Sequence, residues 1–550
     1  MAASVAVFVC LLSVAAAAAS MDPAEREALF LVMEAVSSDR DWRSESPDPC
    51  GAPWPGLECK PAAGDAAAAL LRVTRLDFGV EPNPSCKDTA AFPPLVFSSL
   101  PHLQSLFFVG CFKNPAANTS LVLPPAANLS TSSLQQLSIR ANPSLSGVMP
   151  PQLATLRSLQ VLTISQNGLI RGEIPQGIGE LTSLVHLDLS YNSLTGPVPS
   201  EISELKSLVG LDLSYNSLSG AIPSRIGELR QLQKLDLSSN NLTGGIPVSI
   251  ANLSSLTFLA LSSNGLSGHF PPGLSGLRNL QCLIMDNNPM NVPLPSELGG
   301  LPRLQELRLA GSGYSGQIPA AFGQLASLTT LSLEDNNLTG EIPPVLTRLT
   351  RMYHLNLSNN GLGGAVPFDG AFLRRLGQNL DLSGNAGLCL DDRMVVRGVG
   401  VGVGACHAGG GGDGPLAPGG VTGAAATQTY THKKTFPARH QWQGQHQPHE
   451  QRSAKGEGER VSERAKQWRL ARTVDAASAG RFSSLRLTDP SPHAAACLSG
   501  HLGQRSGTRH TGRRTLLRCM NLTLCVHSDD QRGERHGRRQ SVGTPQGRVN

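Results

Sequence analysis

Charged residues make up 16% of the 550-residue chain and aromatic residues 4%, against about 25% charged in an ordinary globular domain. A core built on large rings is therefore excluded, and aliphatic side chains must fill the interior. Enzyme motifs are scarce as well. There is no HRD catalytic loop, no glycine-rich nucleotide loop followed by a lysine strand, and no hydrolase elbow, which sets kinase and hydrolase chemistry aside. The run Gly398-Val-Gly-Val-Gly-Val-Gly404 has no strand-to-helix frame around it and is not a phosphate cradle. The 11 cysteines and 14 histidines lack paired CxxC or HxxxH spacing, so neither a zinc site nor another metal or cofactor is expected.

Long apolar runs are confined to the N-terminus. Ala2 to Ser20 is an uncharged apolar stretch, and it reads as a secretory signal over 1–20 with cleavage near Ala19 or Ser20. No other segment approaches the ~20 apolar residues of a membrane span. Charge is divided unevenly. From Thr431 to Asn550 there are 22 Lys and Arg against 9 Asp and Glu, a net +13, which leaves 24 basic and 32 acidic residues, net −8, in the remainder. The basic part, with Gly and Ala runs ahead of it, shows no sustained periodicity, and 408–550 is predicted to be a disordered tail. It has no nucleic-acid-binding pattern, so no nucleic-acid partner is expected.

What the chain has in abundance is repetition. The phrase LxxLxLxxNxLxGxIP recurs 11 times, as in Leu184-Val-His-Leu187-Asp-Leu189-Ser-Tyr-Asn192-Ser-Leu194-Thr-Gly196-Pro-Val-Pro199. Its polar anchor falls at Asn142, Asn167, Asn192, Asn216, Asn240, Asn264, Asn288, Ser312, Asn336, Asn360 and Asn385, in steps of 24 or 25. A fixed period of this length with leucines at i, i+3 and i+5 is the leucine-rich-repeat signature. The expected fold is an α/β solenoid with parallel strands on a concave face. The paired leucines point inward because strand side chains alternate faces. The Asn is expected to satisfy backbone groups of the turn and of neighbouring coils. The Gly marks a tight return, and the Ile-Pro pair buries one residue and then stops strand pairing. Ser312 breaks the Asn column and suggests one loosened coil.

Regular coils span 134–386. Two looser coils occupy 73–133, around Val73–Phe78 and Leu103–Phe108, and an amphipathic helix from Asp22 to Ser38 with Trp42 and Trp54 begins an N-terminal cap over 21–72. A C-terminal cap is expected over 387–407. Cys50 and Cys59, Cys86 and Cys111, and Cys389 and Cys406 stand near the two ends, where disulfides can seal the exposed core of a solenoid.

Eleven strands would form a wall of about 50 Å, long enough for an extended peptide or a protein edge. Its informative positions break the Leu-Asp-Leu-Ser monotony: Lys234, Phe258, Ile284, Asp286, Glu306, Arg308, Glu334, Asp335 and His354. Phe258 and Ile284 are apolar at sites predicted to face solvent, with Glu306 and Arg308 as a charged step beside them. Simple drift on a solvated face is the alternative. Asp188, Asp212 and Asp236 form a column expected to pair with adjacent Ser or Lys rather than to bind a cation. Tyr191 and Tyr215, one coil apart, are either binding anchors or a mutually packed pair. Sequons stand at Asn118, Asn128, Asn241, Asn252, Asn337 and Asn356, with a further one at Asn521. Asn356 points outward from a strand of the concave face.

The LxGxIP phrase resembles the plant extracellular leucine-rich-repeat class. Closer likeness lies in Met21-Asp-Pro-Ala-Glu25, Ser44 to Cys59, Leu76 to Cys86, Ile284-Met-Asp-Asn-Asn-Pro-Met290 and Val366 to Asn385. These stretches resemble a receptor-like-protein subfamily related to the stomatal regulator Too Many Mouths and to Piriformospora indica-insensitive proteins. The resemblance implies a non-catalytic cell-surface or secreted glycoprotein that binds a peptide or protein and acts through a partner receptor kinase in plant development or defence. The chain departs from anchored members in showing no transmembrane or lipid-anchor segment after the repeats. A soluble inhibitor of a pathogen wall-degrading enzyme is the alternative from a different class.

Overall fold

The computed structural model describes residues 20–37, 40–61, 70–391 and 402–406. The expected signal segment up to residue 19, the tail over 408–550 and the Asn521 sequon lie outside the described residues.

Each regular coil begins with a short strand, and its two inward aliphatic residues are buried, as Leu187 and Leu189 or Leu283 and Met285 are. The strands line up into one 14-stranded sheet. Its eleven regular members run from Gln136–Arg140 to Leu380–Asp381, preceded by Leu71–Phe78 and Ser105–Val109 from the two looser coils. All of these pair in parallel and in register, so Gly210 lies beside Lys234 and Asp212 beside Asp236. The first strand of the sheet, Leu57–Pro61, is antiparallel to Leu71–Phe78 and covers an edge that would otherwise be open to pairing.

Between strands the backbone follows the phrase residue by residue. In all eleven regular coils the position before the ladder residue is left-handed, from Ala141 at φ +55° to Gly384 at +71°. Next the ladder residue turns inward. Asn240 accepts from the Leu218 amide at 3.0 Å and donates through Nδ2 to the carbonyls of Leu213 and Leu237 at 3.0 and 3.1 Å. Each Asn therefore joins its own coil to the one before it.

Ser312 does not loosen its coil, contrary to expectation. It is 1% exposed, its Oγ accepts from the Asn288 amide at 3.2 Å and donates to the Ala310 carbonyl at 2.9 Å, and Asn336 of the next coil bonds the Ser312 amide. The hydroxyl carries both halves of the contact that an amide side chain makes elsewhere. Tyr314, a fully buried ring where other coils carry Leu, fills the same coil.

A second set of short parallel strands follows the ladder, which the sequence reading missed. Ser146–Val148, Leu169–Gly172 and Ser193–Leu194 form one group; Ser219–Gly220, Asn241–Gly244 and Gly265–Leu266 form another; a third runs from Ser315–Gly316 to Gly404–Ala405. Where an Ile-Pro pair follows, as after Leu169–Gly172, Asn241–Gly244 and Asn337–Gly340, the strand ends before it, as expected of a residue without an amide proton. The prolines then open 3-10 turns: Pro199 precedes Ser200–Glu204 and Pro319 precedes Ala320–Gln324. The lateral strands are interrupted between Leu266 and Ser315, where Met290-Asn-Val-Pro293 replaces the usual Leu-x-Gly.

The helix Pro23–Val36 begins where Asp22 accepts from the amides of Ala24 and Glu25. Buried Glu25 ties it to the sheet, accepting from the Val73 amide at 3.2 Å and pairing with Arg72 at 3.2 Å. The few aromatics gather at this end. Trp42 and Trp54 pack at 4.8 Å, and Phe78, Phe92, Phe108 and Phe112 form one cluster in the looser coils. Cys50–Cys59, Cys86–Cys111 and Cys389–Cys406 are all disulfides.

Replacing Asn240 with Ala leaves the buried Leu218 amide without its partner and takes one of two amide donors from each of the Leu213 and Leu237 carbonyls, and is expected to cost about 2 kcal/mol. The urea-unfolding midpoint should fall clearly, whereas Asn279→Ala, which removes an exposed bond to the Ser254 carbonyl, should leave it nearly unchanged.

Candidate functional site

The solvent-side residues of the long sheet fall into columns set by the parallel register. Lys234, Phe258, Cys282, Glu306, Thr330 and His354 form one column. Asp236, Ala260, Ile284, Arg308, Ser332 and Asn356 form the next. Asp286 and Glu334 follow two residues beyond the strand, and Asp335 stands farther out at the left-handed edge position with φ +56°.

The structure brings Lys234, Phe258 and Ile284 together. The Lys234 ammonium lies 5.7 Å from the Phe258 ring centre, and Ile284 packs on a small apolar cluster of Phe258, Ala260 and Cys282 that is separate from the leucine core. Asp286, Glu306 and Arg308 form a second group: Arg308 Nε is 3.0 Å from Asp286 Oδ2, with Glu306 Oε1 3.9 Å from the guanidinium. Glu334 joins Ser332 by a hydrogen bond. Asp335 accepts from Asn359 Nδ2 at 2.9 Å. His354 is half-buried and adjoins neither group.

Solvent exposure was overestimated from the sequence. Phe258, Asp286, Glu306, Arg308 and Glu334 are all buried, and only Asp335 among the nine is exposed. For Asp286 the cause is local, since its Oδ1 turns toward the next coil and accepts from the Ala310 amide at 2.8 Å. That position behaves as buried Ser190 and Ser214 do in other coils. Arg308 lies along the sheet against Asp286 instead of projecting from it. Glu306, Arg308 and Glu334 each make further contacts, so none is an uncommitted charge.

The Asp column behaves as its sequence pattern indicated. Asp188 and Asp212 each accept from the amide and hydroxyl of the Ser two residues on. Lys234 Nζ sits 2.8 Å from Asp212 Oδ2. Burial, then the neighbouring Asp212 charge, pushes the Asp188 carboxyl up. The same two causes push Asp236 up to about 6, with Lys234 opposing them. Burial is the largest influence on Lys234 and favours its neutral form, yet Asp212 and Asp236 together hold its pKa above the ordinary value. Among the described residues no group of His, Cys, Asp and Glu is arranged to hold a metal ion.

Five sequon asparagines, Asn118, Asn128, Asn241, Asn252 and Asn337, are exposed. Asn241 and Asn337 occupy the same repeat position, the first residue of a lateral strand. Asn356 is half-buried on the long sheet, and its Oδ1 is engaged by the Ser358 amide and hydroxyl at 3.0 and 2.8 Å. Tyr314 was missed as a special residue. Its hydroxyl has no hydrogen-bond partner among the described residues, and burial followed by the Asp286 charge raises its pKa.

The leucine-rich-repeat family model matches residues 183–205, 207–229, 231–253, 255–277 and 327–349. The matched segments leave out 278–326, the stretch in which the lateral strands are interrupted and the Asn column carries Ser312. A relative, receptor-like protein 29 of Arabidopsis thaliana, is 55% identical over 141 residues, covering 25% of this chain and 29% of that protein. The match thus spans less than a third of the curated relative. Among solved structures, the ectodomain of the Arabidopsis receptor kinase HAESA in complex with an N-terminally extended IDA peptide hormone is 27% identical at a TM-score of 0.45, over 67% of this chain and 71% of that one. A plant ice-binding protein is 26% identical at a TM-score of 0.46, over 71% and 99%. Among the described residues no helix is long and apolar enough to cross a membrane.

The raised carboxyl of Asp236 gives a signed expectation. A carboxyl pushed above its ordinary 3.8 to about 6 holds its proton more tightly in the folded state, so folding loses stability as pH rises through that window. Ala260 shows that an uncharged residue fits the same column. Asp236→Ala should therefore affect the thermal midpoint more favourably near pH 7.5 than near pH 4.5. An equal change at both would show that the charge is not the cause.

Proposed function

We propose that this leucine-rich-repeat protein is an extracellular receptor-like protein of a plant, which binds a peptide or protein on its long-sheet face and signals through a partner receptor kinase. It would do so without catalysis of its own. The observation that carries the reading is the 55% identity to a receptor-like protein across 141 residues. Two further features support it. The disulfides Cys50–Cys59, Cys86–Cys111 and Cys389–Cys406 suit an oxidising compartment, and departures from the Leu-Asp-Leu-Ser phrase stand in neighbouring coils of the long sheet. The finer assignment to the subfamily related to Too Many Mouths belongs to this proposal.

Lys234 and Ile284 are the most useful positions at which to test the face, since both are partly accessible and neither fills the leucine core. The secreted glycoprotein would be measured by interferometry against a panel of plant receptor-kinase ectodomains and peptide hormones. Lys234→Glu with Ile284→Asp should weaken a specific partner at least tenfold, while Val248→Asp on the 3-10 side should not. The opposite pattern would remove the long-sheet face from the account, and binding only to a microbial polygalacturonase would favour the inhibitor class. Glycopeptide mass spectrometry should find sugar at Asn118, Asn128, Asn241, Asn252 and Asn337, with lower occupancy at Asn356.

A further inference from the structure

Ahead of Phe258 the long-sheet face has a different chemistry. Asp188, Asp212 and Asp236 are aligned across three strands, which sets their carboxylates about 4.8 Å apart from strand to strand. The single Lys234 is bonded to the middle one. Asp188 gives one oxygen to Ser190 and Asp236 gives one to the Ser238 amide. Among the described residues, neither has an ion pair within 4.0 Å. The row therefore sets three carboxyl groups against one bonded ammonium, with Arg140 acting on Asp188 and Lys234 on Asp236 only through space.

Tyr191 and Tyr215 border this row. Their rings stack 4.1 Å apart at 10° and stay 45% and 49% exposed. The pair belongs to the same patch as the carboxylates: burial, then Tyr215, then the Asp212 and Asp236 charges hold the Tyr191 hydroxyl in its protonated form. Aromatic faces and unneutralised carboxylates both favour a cation, and a guanidinium answers both at once. An anionic ligand would add to the repulsion already present, and a neutral one would leave it in place.

We propose that this patch binds an extended cationic segment of a partner polypeptide, with Arg or Lys side chains seated at Asp188 and Asp236 and one of them lying against the Tyr191–Tyr215 pair. The two carboxylates are two strands apart, about 10 Å. A polyproline-type segment returns a side chain to the same direction every third residue, about 9 Å along its axis. The matched pattern is thus a basic residue at i and i+3. This rests on the reading of the long sheet as a binding face and names the chemistry of what binds there.

The test uses the full secreted chain and a fluorescein-labelled twelve-residue peptide of Pro-Pro-Arg repeats, followed by fluorescence anisotropy at 50 and 150 mM NaCl. The same peptide with citrulline for arginine, and one with its arginines adjacent, are the comparisons. The Arg peptide should bind at least tenfold more tightly than the citrulline peptide, more tightly than the clustered one, and less well at the higher salt. Asp188→Ala with Asp236→Ala should weaken it at least tenfold, and Tyr191→Ser with Tyr215→Ser several-fold. Both pairs preserve the fold by the chain's own precedent, since Ala260 and Ser239 occupy the same repeat positions in other coils, and neither pair creates a glycosylation sequon. Equal binding of the citrulline peptide, no binding of either, or unaltered binding by the variants would overturn the proposal. A natural partner that is lost with Lys234→Glu and Ile284→Asp but kept by both variant pairs would overturn this proposal and leave the binding-face reading intact. A partner insensitive to all of them would end both.

Discussion

Everything in this solenoid depends on an amide side chain that reaches back one coil. A single coil has two inward leucines per strand and cannot bury them alone. The ladder asparagine makes stacking specific. Through one oxygen and one nitrogen it meets backbone groups of the preceding coil and of its own, as Asn240 does with Leu218, Leu213 and Leu237. Because those groups are buried, leaving them unmet would cost more than the bond itself contributes. Register follows from this, and register in turn places every solvent-side residue of the long sheet in a column.

That is why the columns matter for function. Residues separated by 24 in sequence become neighbours in space, and a substitution tolerated by the fold at one coil acts beside its counterparts in the next. Lys234 contacts both Asp212 and Phe258 only because three strands are in step. The interruption of the lateral strands between Leu266 and Ser315 overlaps the coils in which Ile284, Asp286, Glu306 and Arg308 replace the usual Leu-Asp-Leu-Ser pattern. Only the coil of Ile284 and Asp286 lacks its lateral strand; the coil of Glu306 and Arg308 keeps both Ser315–Gly316 and its ladder bonds.

The repeat period, the strand count, the role of the asparagines and the end-sealing disulfides were all legible in the sequence, since each is a strict local pattern. The lateral strands were not. They are two to five residues long, with little side-chain alternation, and they exist because stacking brings their backbones together. The site was legible in membership but not in exposure. Asp286 reads as an outward carboxylate until the Ala310 amide of the next coil claims it, and Ser312 reads as a gap until its hydroxyl is seen to carry the bonds of the missing amide. In both cases the deciding partner lies a full coil away, beyond the reach of any short window.

The central claim is that the long-sheet face, and not the 3-10 side, meets the partner. A photo-crosslinking amino acid placed at Ile284, or in a second protein at exposed Val248, tests it in the protein expressed in plant tissue. The account expects a discrete crosslinked species from position 284, suppressed by unlabelled protein, and none from 248. Crosslinking from 248 alone would contradict it.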